Sequence, residues 1–355
     1  MSKIHIVYYI SDEGASHMAR SAVVAEELLL AMPNLHITFV HRSMIRYLKR
    51  RFFKWKDRVA FRSLPFHLNY VYEKNHFTID QVKMAEHFDI YKLNWSMMHA
   101  EETAFLKELK PHLVLSDIEA VAFSAADEAG VYSIGMSHVT WHSVMTEVLM
   151  KKATFLRDAY EKMDVWIALP GGNEPSWGND KKFDLGWFAT PTHLQRVRKL
   201  RRRWKLFGQS TKLIFIDFGD QSNHWSIPET WVSESTMFIV SSGLMTGSPY
   251  VIPVPRFEPN PQDYLAAADW MIARPNWSLV ANAVLSNTPV RLVGHSERYE
   301  ERQLCANIER NQFGETHLIN HLKDIQRLPL SQPLRTTAHV ENELPKLISI
   351  LLSFV

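Results

Sequence analysis

The chain has 355 residues, 46% apolar and 22% charged, which is globular composition with enough length for two cores rather than one. A formal net charge of +2 is too small to imply a nucleic-acid partner, and the single cysteine, Cys305, excludes an internal disulfide or a cysteine metal cluster and fits a reducing cytosol. The N-terminus lacks a signal-peptide pattern and no run approaches the roughly 20 apolar residues that span a bilayer, so the expectation is a soluble cytoplasmic protein whose membrane contacts are peripheral.

Apolar runs alternate with helical patterns from the start. "KIHIVYYI" (3–10) reads as a buried strand, 17–31 as an amphipathic helix and "LHITFV" (35–40) as a second strand. "HLVLSD" (112–117), the Ala-rich "AVAFSAADEAG" (120–130) and "VYSIGMS" (131–137) repeat strand, helix, strand. Residues 140–163 read as mostly helical, and "DVWIALP" (164–170) as another strand. A second series begins near 211 with "KLIFIDFG" (212–219), "MFIVSSG" (237–243) and "YVIPVP" (250–255). It continues through "DYLAAADWMIA" (263–273), the helix "SLVANAVLSN" (278–287) and "PVRLVG" (289–294).

Strands separated by helices with short connections imply parallel sheets covered on both faces. The expected fold is α/β, with two doubly wound, Rossmann-like domains facing each other across a cleft. Residues 1–190 form the first, 191–335 the second, and 336–355 a C-terminal helix docking on the body. Neither half contains GxGxxG or a Walker A sequence.

"SDEGASH" (11–17) places His17 in the tight turn after the first strand. Two roles fit it: a backbone partner at a helix start, or a reacting group with a pKa near neutrality. His138 and His142 are four apart, the spacing of two ligands on one helix face, but no third ligand is evident and no metal site is expected. Residues 41–62 mix nine Lys/Arg with five aromatic residues, which suits an anionic membrane surface, a polyanion, or a solvated helix with one aromatic face in the core. The basic run 196–205 reads as a solvated helix face. Trp177 and Trp225 fall in loops suited to stacking on a sugar or base, whereas the other tryptophans read as packing.

Several segments, in order, resemble the GT-B glycosyltransferases, in particular bacterial members whose first turn reads like "GHGFGHATR". "DEGASHMAR" keeps Gly14, His17 and Arg20 in that spacing, and "KPHLVLSDIEAVAFSAADEAGVYSIGMSHVTW" is similar to the family's next conserved stretch. "DYLAAADWMIARPNWSLVANAVLSNTPVRLV" and "RYEERQLCANIERNQFG" resemble its nucleotide-sugar half. The resemblance implies sugar transfer from a nucleotide-diphosphate sugar, UDP- or dTDP-linked, to a hydroxyl acceptor by metal-independent single displacement. The donor would be a co-substrate, and no cofactor is required. It implies His17 as base with Asp117 as partner, and Gly14, Arg20 and His138 on the acceptor side. Gly219, Arg274, Asn276, Ser278, Asn282, Glu300 and Glu301 fall at donor positions. Asn276 and Ser278 replace family glycines, Leu279 a threonine, Asn282 a glutamate and Asp220 a second glycine. Those departures leave two alternatives: a non-catalytic GT-B relative acting as partner or scaffold, or a nucleotide-sugar hydrolase.

Overall fold

The computed structural model describes residues 2–74, 78–150, 153–205, 211–219, 227–233, 235–241, 249–255, 258–321, 324–325, 328, 330–331 and 339–355. Contacts divide the chain into two compact units. The first comprises Met1–Val71, Asp80–Gly186 and Glu343–Val355; the second comprises Tyr72–Ile79 and Trp187–Asn342.

Unit 1 runs β1 (Ile4–Ile10), α1 (Gly14–Ala31), β2 (Leu35–Val40), α2 (Ile45–Arg51), β3 (Val59–Arg62), α3 (Gln81–Leu93), α4 (Trp95–Leu109) and β4 (Leu113–Asp117). It continues with α5 (Ala120–Ala129), β5 (Ser133–Ser137), α6 (Trp141–Leu149), α7 (Thr154–Tyr160), β6 (Val165–Ala168) and β7 (Lys181–Asp184). The seven strands are parallel, in the order β3-β2-β1-β4-β5-β6-β7. β4 and β5 are buried throughout, so their side chains are apolar or small on both faces except Asp117, which ends β4. Each Ile, Val, Leu or Phe taken from water in this core contributes about 1.5–3 kcal/mol before entropy is charged against it.

Unit 2 runs α8 (Leu194–Lys205), β8 (Lys212–Asp217), β9 (Thr236–Val240), β10 (Val251–Pro253), α9 (Gln262–Ala266), β11 (Trp270–Ala273) and α10 (Trp277–Leu285). β12 (Val290–His295), α11 (Tyr299–Arg310) and β13 (Gly314–Ile319) follow. Its six strands are also parallel, ordered β10-β9-β8-β11-β12-β13. The core gathers Ile214, Ile216, Phe238, Trp270 and Ile272 with Trp231 and Ile325. The last helix, α12 (Leu344–Leu352), returns to unit 1 and packs on α1.

In each sheet the strand order reverses once, between β1 and β4 in unit 1 and between β8 and β11 in unit 2. The loops that leave adjacent strands there diverge to opposite faces and open a crevice at the carboxyl ends, where α/β sheets bind ligands.

The reading of 41–62 as one helix is corrected. The segment forms α2, a 3-10 turn at Phe53–Trp55 and the strand β3. Long-range partners fix the strand: Arg62 Nη2 donates to buried Glu102 Oε1 at 2.7 Å, and Phe61 stacks 5.8 Å from Phe39. Glu102 also accepts from Tyr9 Oη at 2.7 Å, so one carboxylate ties α4 to both β1 and β3. Among the described residues no helix is long and apolar enough to cross a membrane.

Candidate active site

Unit 1 brings its candidate residues together at the β1/β4 reversal. β1 ends at Ile10, paired with Asp117 at the end of β4. Gly14 starts α1 at φ 63, a left-handed conformation that costs glycine least and turns the chain sharply from strand to helix. His17 and Arg20 are three apart on that helix and therefore share a face. Both are buried, as are Asp117, Ser137 and His138. Ile118 takes φ 61, a strained value for a β-branched residue, and its carbonyl is held by Tyr160 Oη at 2.5 Å. That strained turn separates Asp117, which faces α1, from Glu119, which approaches His67.

Arg20 is the hub. Its Nε donates to Asp117 Oδ2 at 2.7 Å, and its Nη2 donates to Asp117 Oδ1 at 2.5 Å and to Ser137 Oγ at 2.8 Å. Ser21 Oγ completes the carboxylate at 3.0 Å. His17 Nδ1 lies 2.8 Å from Asp117 Oδ1 and 2.8 Å from Arg20 Nη2. The ionised Asp117 can only accept, so the proton between it and His17 belongs to Nδ1, leaving the Nε2 lone pair as the basic position. Arg20 Nη1 lies 3.1 Å from His138 Nδ1; a guanidinium only donates, so His138 accepts there and carries its own proton on Nε2.

Electrostatics follow from this wiring. Burial alone would raise the Asp117 carboxyl, but Arg20 and then His17 overcome it and hold it far below the usual carboxylate range. Burial, reinforced by the Arg20 charge, pushes His138 well below the ordinary imidazole value and keeps it neutral. His138 precedes α6 while His142 lies within it, so the two do not share a helix face as their spacing suggested. The loop after β6 presses on the same place: a Cβ on Gly172 would collide with the His138 carbonyl. Trp177 is not an open stacking platform. It is buried against Tyr160 and His142, with Nε1 donating to Glu174 Oε2 at 3.1 Å.

Unit 2 places its candidates around its own reversal, with Gly219 at φ 60 after β8 and Arg274 directly after β11. Here the side chains are engaged with one another. Arg274 Nε donates to Glu301 Oε1 at 2.6 Å, and Arg298 Nη1 reaches the same oxygen at 2.9 Å. The His295 N–H donates to Glu301 Oε2 at 2.7 Å. The Tyr72 ring lies 5.8 Å from the Arg274 guanidinium and 5.3 Å from that of Arg298. Asn276 caps α10, its side chain accepting from Leu279 N at 3.0 Å, and Asn282 Nδ2 donates to Ser278 O at 2.7 Å. Glu300 is buried in the first turn of α11. Asp220 and Trp225 lie outside the described residues. Among those residues, no cluster of His, Cys, Asp and Glu is arranged to hold a metal ion.

Sequence reasoning missed Ser21, Ser137, His295, Arg298 and Tyr72. Ser21 is four residues after His17 and Arg298 three before Glu301, so helical spacing was a signal for both. Tyr72 gave none.

Residues 4–160 match the family described as glycosyl transferase family 1. Among solved structures, UGT89C1 of Arabidopsis thaliana complexed with UDP aligns over 99% of this chain and 91% of its own, at 12% identity and TM-score 0.57. The calicheamicin glycosyltransferase CalG4 aligns over 92% and 89%, at 16% identity and TM-score 0.56. The glycotransferase of kitacinnamycin aligns over 92% and 90%, at 12% identity and TM-score 0.57. The fold is GT-B. The chain is also 22% identical over 333 residues to L-arabinokinase of Arabidopsis thaliana, covering 88% of this chain and 30% of that protein. It thus spans less than a third of that relative's length. In this GT-B chain the family-1 match contains the whole His17–Arg20–Asp117–His138 cluster, while every donor-side candidate lies beyond it.

Proposed function

We propose that this GT-B chain is a glycosyltransferase that moves a sugar from a UDP- or dTDP-sugar to a hydroxyl acceptor, with His17 as general base. The observation that carries this reading is the His17–Asp117 pair, 2.8 Å apart, in which the carboxylate can only accept and Nδ1 donates. In the step, His17 Nε2 takes the acceptor proton as the acceptor oxygen bonds to the anomeric carbon. The bond from that carbon to the diphosphate oxygen breaks, and the nucleoside diphosphate leaves with the electron pair. Asp117, kept ionised by Arg20, stabilises the imidazolium that forms. The leaving diphosphate would be met by the positive end of α10 and by Arg274, without a metal ion in the mechanism.

A specific observation favours a second reading, a non-catalytic GT-B relative. Arg274 and Glu301 bind each other, and the amides of Asn276 and Asn282 turn onto their own helix, so four donor-side groups are engaged within the chain. Calorimetry with UDP, dTDP and GDP separates the two readings. Binding of one nucleotide supports the transferase; no binding of any at roughly millimolar concentration removes it.

The exposed part of residues 41–62 is proposed as a basic surface that contacts an anionic membrane. Phe53 is 70% exposed there, with Lys54 and Lys56 near the aromatic rings. Salt-sensitive sedimentation with phosphatidylserine vesicles, lost in Phe53→Ala, supports it; equal binding to neutral vesicles counts against it.

A further inference from the structure

Unit 2 contains a cavity of about 330 Å³ at the edge of its sheet where β8, β11 and β12 begin. Arg201 of α8, Lys212, Asp269, Trp270, Asn287 and Thr288 line it. The donor candidates Gly219 and Arg274 follow the opposite ends of β8 and β11. The six residues of β8, at about 3.3 Å per step, put the two edges roughly 16 Å apart. At a water's share of roughly 30 Å³ the cavity has room for about eleven waters, the size of a monosaccharide phosphate.

Hydrogen-bond donors dominate the lining. A guanidinium carries five N–H groups. Arg201 Nη1 donates to Ala267 O at 2.8 Å and to Ala268 O at 3.3 Å, and Nη2 donates to Asp269 Oδ1 at 2.6 Å. At least two N–H groups stay uncommitted among the described residues, on a head group that is held in place and 32% exposed. Lys212 is exposed, with its ammonium 5.9 Å from the Trp270 ring and no carboxylate partner among the described residues. Asp269, the carboxylate of the lining, is engaged on both oxygens, since Oδ2 accepts from Leu213 N at 2.9 Å.

α9 and α10 end at this edge, but their last carbonyls are capped. Arg201 holds those of Ala267 and Ala268, and the N–H groups of Ser286, Asn287 and Thr288 hold those of Asn282, Val284 and Ala283. The balance is positive and rich in donors, which selects an anion with several acceptor oxygens, and phosphate is the compact case. Arg202 and Arg203, exposed on the same turn of α8 and without a carboxylate partner among the described residues, strengthen that field. Acceptors for a sugar are present too. Ser286 Oγ donates to Ala283 O at 3.2 Å, so the 2.9 Å contact between Ser286 and Thr288 is donated by Thr288 and leaves its Oγ1 able to accept. A nucleobase fits less well, because Trp270 is 1% exposed and offers no open face for stacking.

We propose that this cavity is a second ligand site, separate from the donor edge, and that its ligand is a monosaccharide phosphate. The phosphate lies among Arg201, Lys212 and Asn287, and sugar hydroxyls donate to Thr288 Oγ1 and Asp269. The site does not rest on the transferase reading of the chain.

The test is calorimetry of the full chain with glucose 1-phosphate, glucose 6-phosphate, inorganic phosphate and D-glucose. At least one sugar phosphate is expected to bind at millimolar concentration or below, more tightly than inorganic phosphate, with no heat from D-glucose at the same concentration. Lys212→Gln should weaken that binding at least about fivefold, and Lys212→Arg should restore most of it. Asn287→Gly, which keeps the backbone at φ 56 accessible, should weaken it as well. In the chain carrying 15N-labelled tryptophan, the indole N–H resonance assigned by Trp270→Phe should shift on titration, and saturating UDP should leave the affinity unchanged. Four results each overturn the proposal: no sugar phosphate bound, equal affinity for inorganic phosphate, affinity unchanged in both Lys212→Gln and Asn287→Gly, or a bound ligand that leaves the Trp270 resonance in place. Competition by UDP would place the ligand at the donor edge and overturn it too.

Discussion

Arg20 and Asp117 form a buried ion pair whose energetics can be worked out from its contacts. In Arg20→Met, Asp117 keeps its charge at 0% exposure with only His17 and Ser21 as side-chain partners. In Asp117→Asn, the buried Arg20 guanidinium keeps Ser137 and His138 but faces a neutral amide in place of the carboxylate. Removing one partner of a buried pair costs about 3–5 kcal/mol, chiefly because the other charge is stranded. Were the effects independent, the double variant would lose about 6–10 kcal/mol, comparable to the whole stability of a domain. No charge is stranded in the double variant, so its loss is expected to fall short of the sum by about 2–3 kcal/mol. The assay is urea unfolding followed by circular dichroism and tryptophan fluorescence together, because two units can unfold separately and coincident transitions must be verified. Single-variant losses below about 1 kcal/mol, or additivity within about 0.5 kcal/mol, would refute the reasoning.

Three further outcomes are expected. His138 is held below its unfolded pKa, so the unfolded chain gains a proton below about pH 6.5 that the folded chain refuses; stability is complete above that pH and falls by about 1.4 kcal/mol per unit below it. Other buried histidines add to the parent's slope, so between pH 7.5 and 5.5 His138→Asn should lose less stability than the parent by up to that amount per unit, and equal slopes contradict it. Gly172→Ala should cost about 1–3 kcal/mol, because the new Cβ meets the His138 carbonyl and the loop must shift; an unchanged melting curve counts against that contact. Glu301→Gln removes the carboxylate that holds Arg274 and should tighten UDP binding about three- to tenfold, whereas weaker binding would give Glu301 a direct role in the donor site.

Much of the fold was legible because its central strands are apolar runs that end abruptly. "KIHIVYYI" and "HLVLSD" stop where β1 and β4 stop, and "SDEGASH" marked the turn that Gly14 makes at φ 63. The edge strands were not legible. β7 reads "KKFD" and β3 reads "VAFR", each four residues long and partly exposed, and β3 is fixed by Glu102, forty positions away from Arg62. The same division runs through the candidate site. The resemblance paired His17 with Asp117, and the structure brings them together because α1 follows β1, the neighbour of β4. Arg20 was placed on the acceptor side, but its work as counter-ion to Asp117 depends on side-chain directions that spacing does not carry. On the donor side, the substitutions at Asn276, Ser278 and Asn282 signalled remodelling. That Arg274 and Glu301 bind each other across 27 positions is a tertiary fact with no local trace.

The central claim is that His17 Nε2 takes a proton from an acceptor while a nucleoside diphosphate leaves. Its most direct test is release of UDP or dTDP from a panel of nucleotide sugars, measured with pooled hydroxyl acceptors for the parent chain and for His17→Ala at matched thermal stability. Acceptor-dependent release from at least one donor is expected, reduced about 10²- to 10⁴-fold by the substitution. Release by His17→Ala at the parental rate, or no release from any donor by the parent, would contradict it.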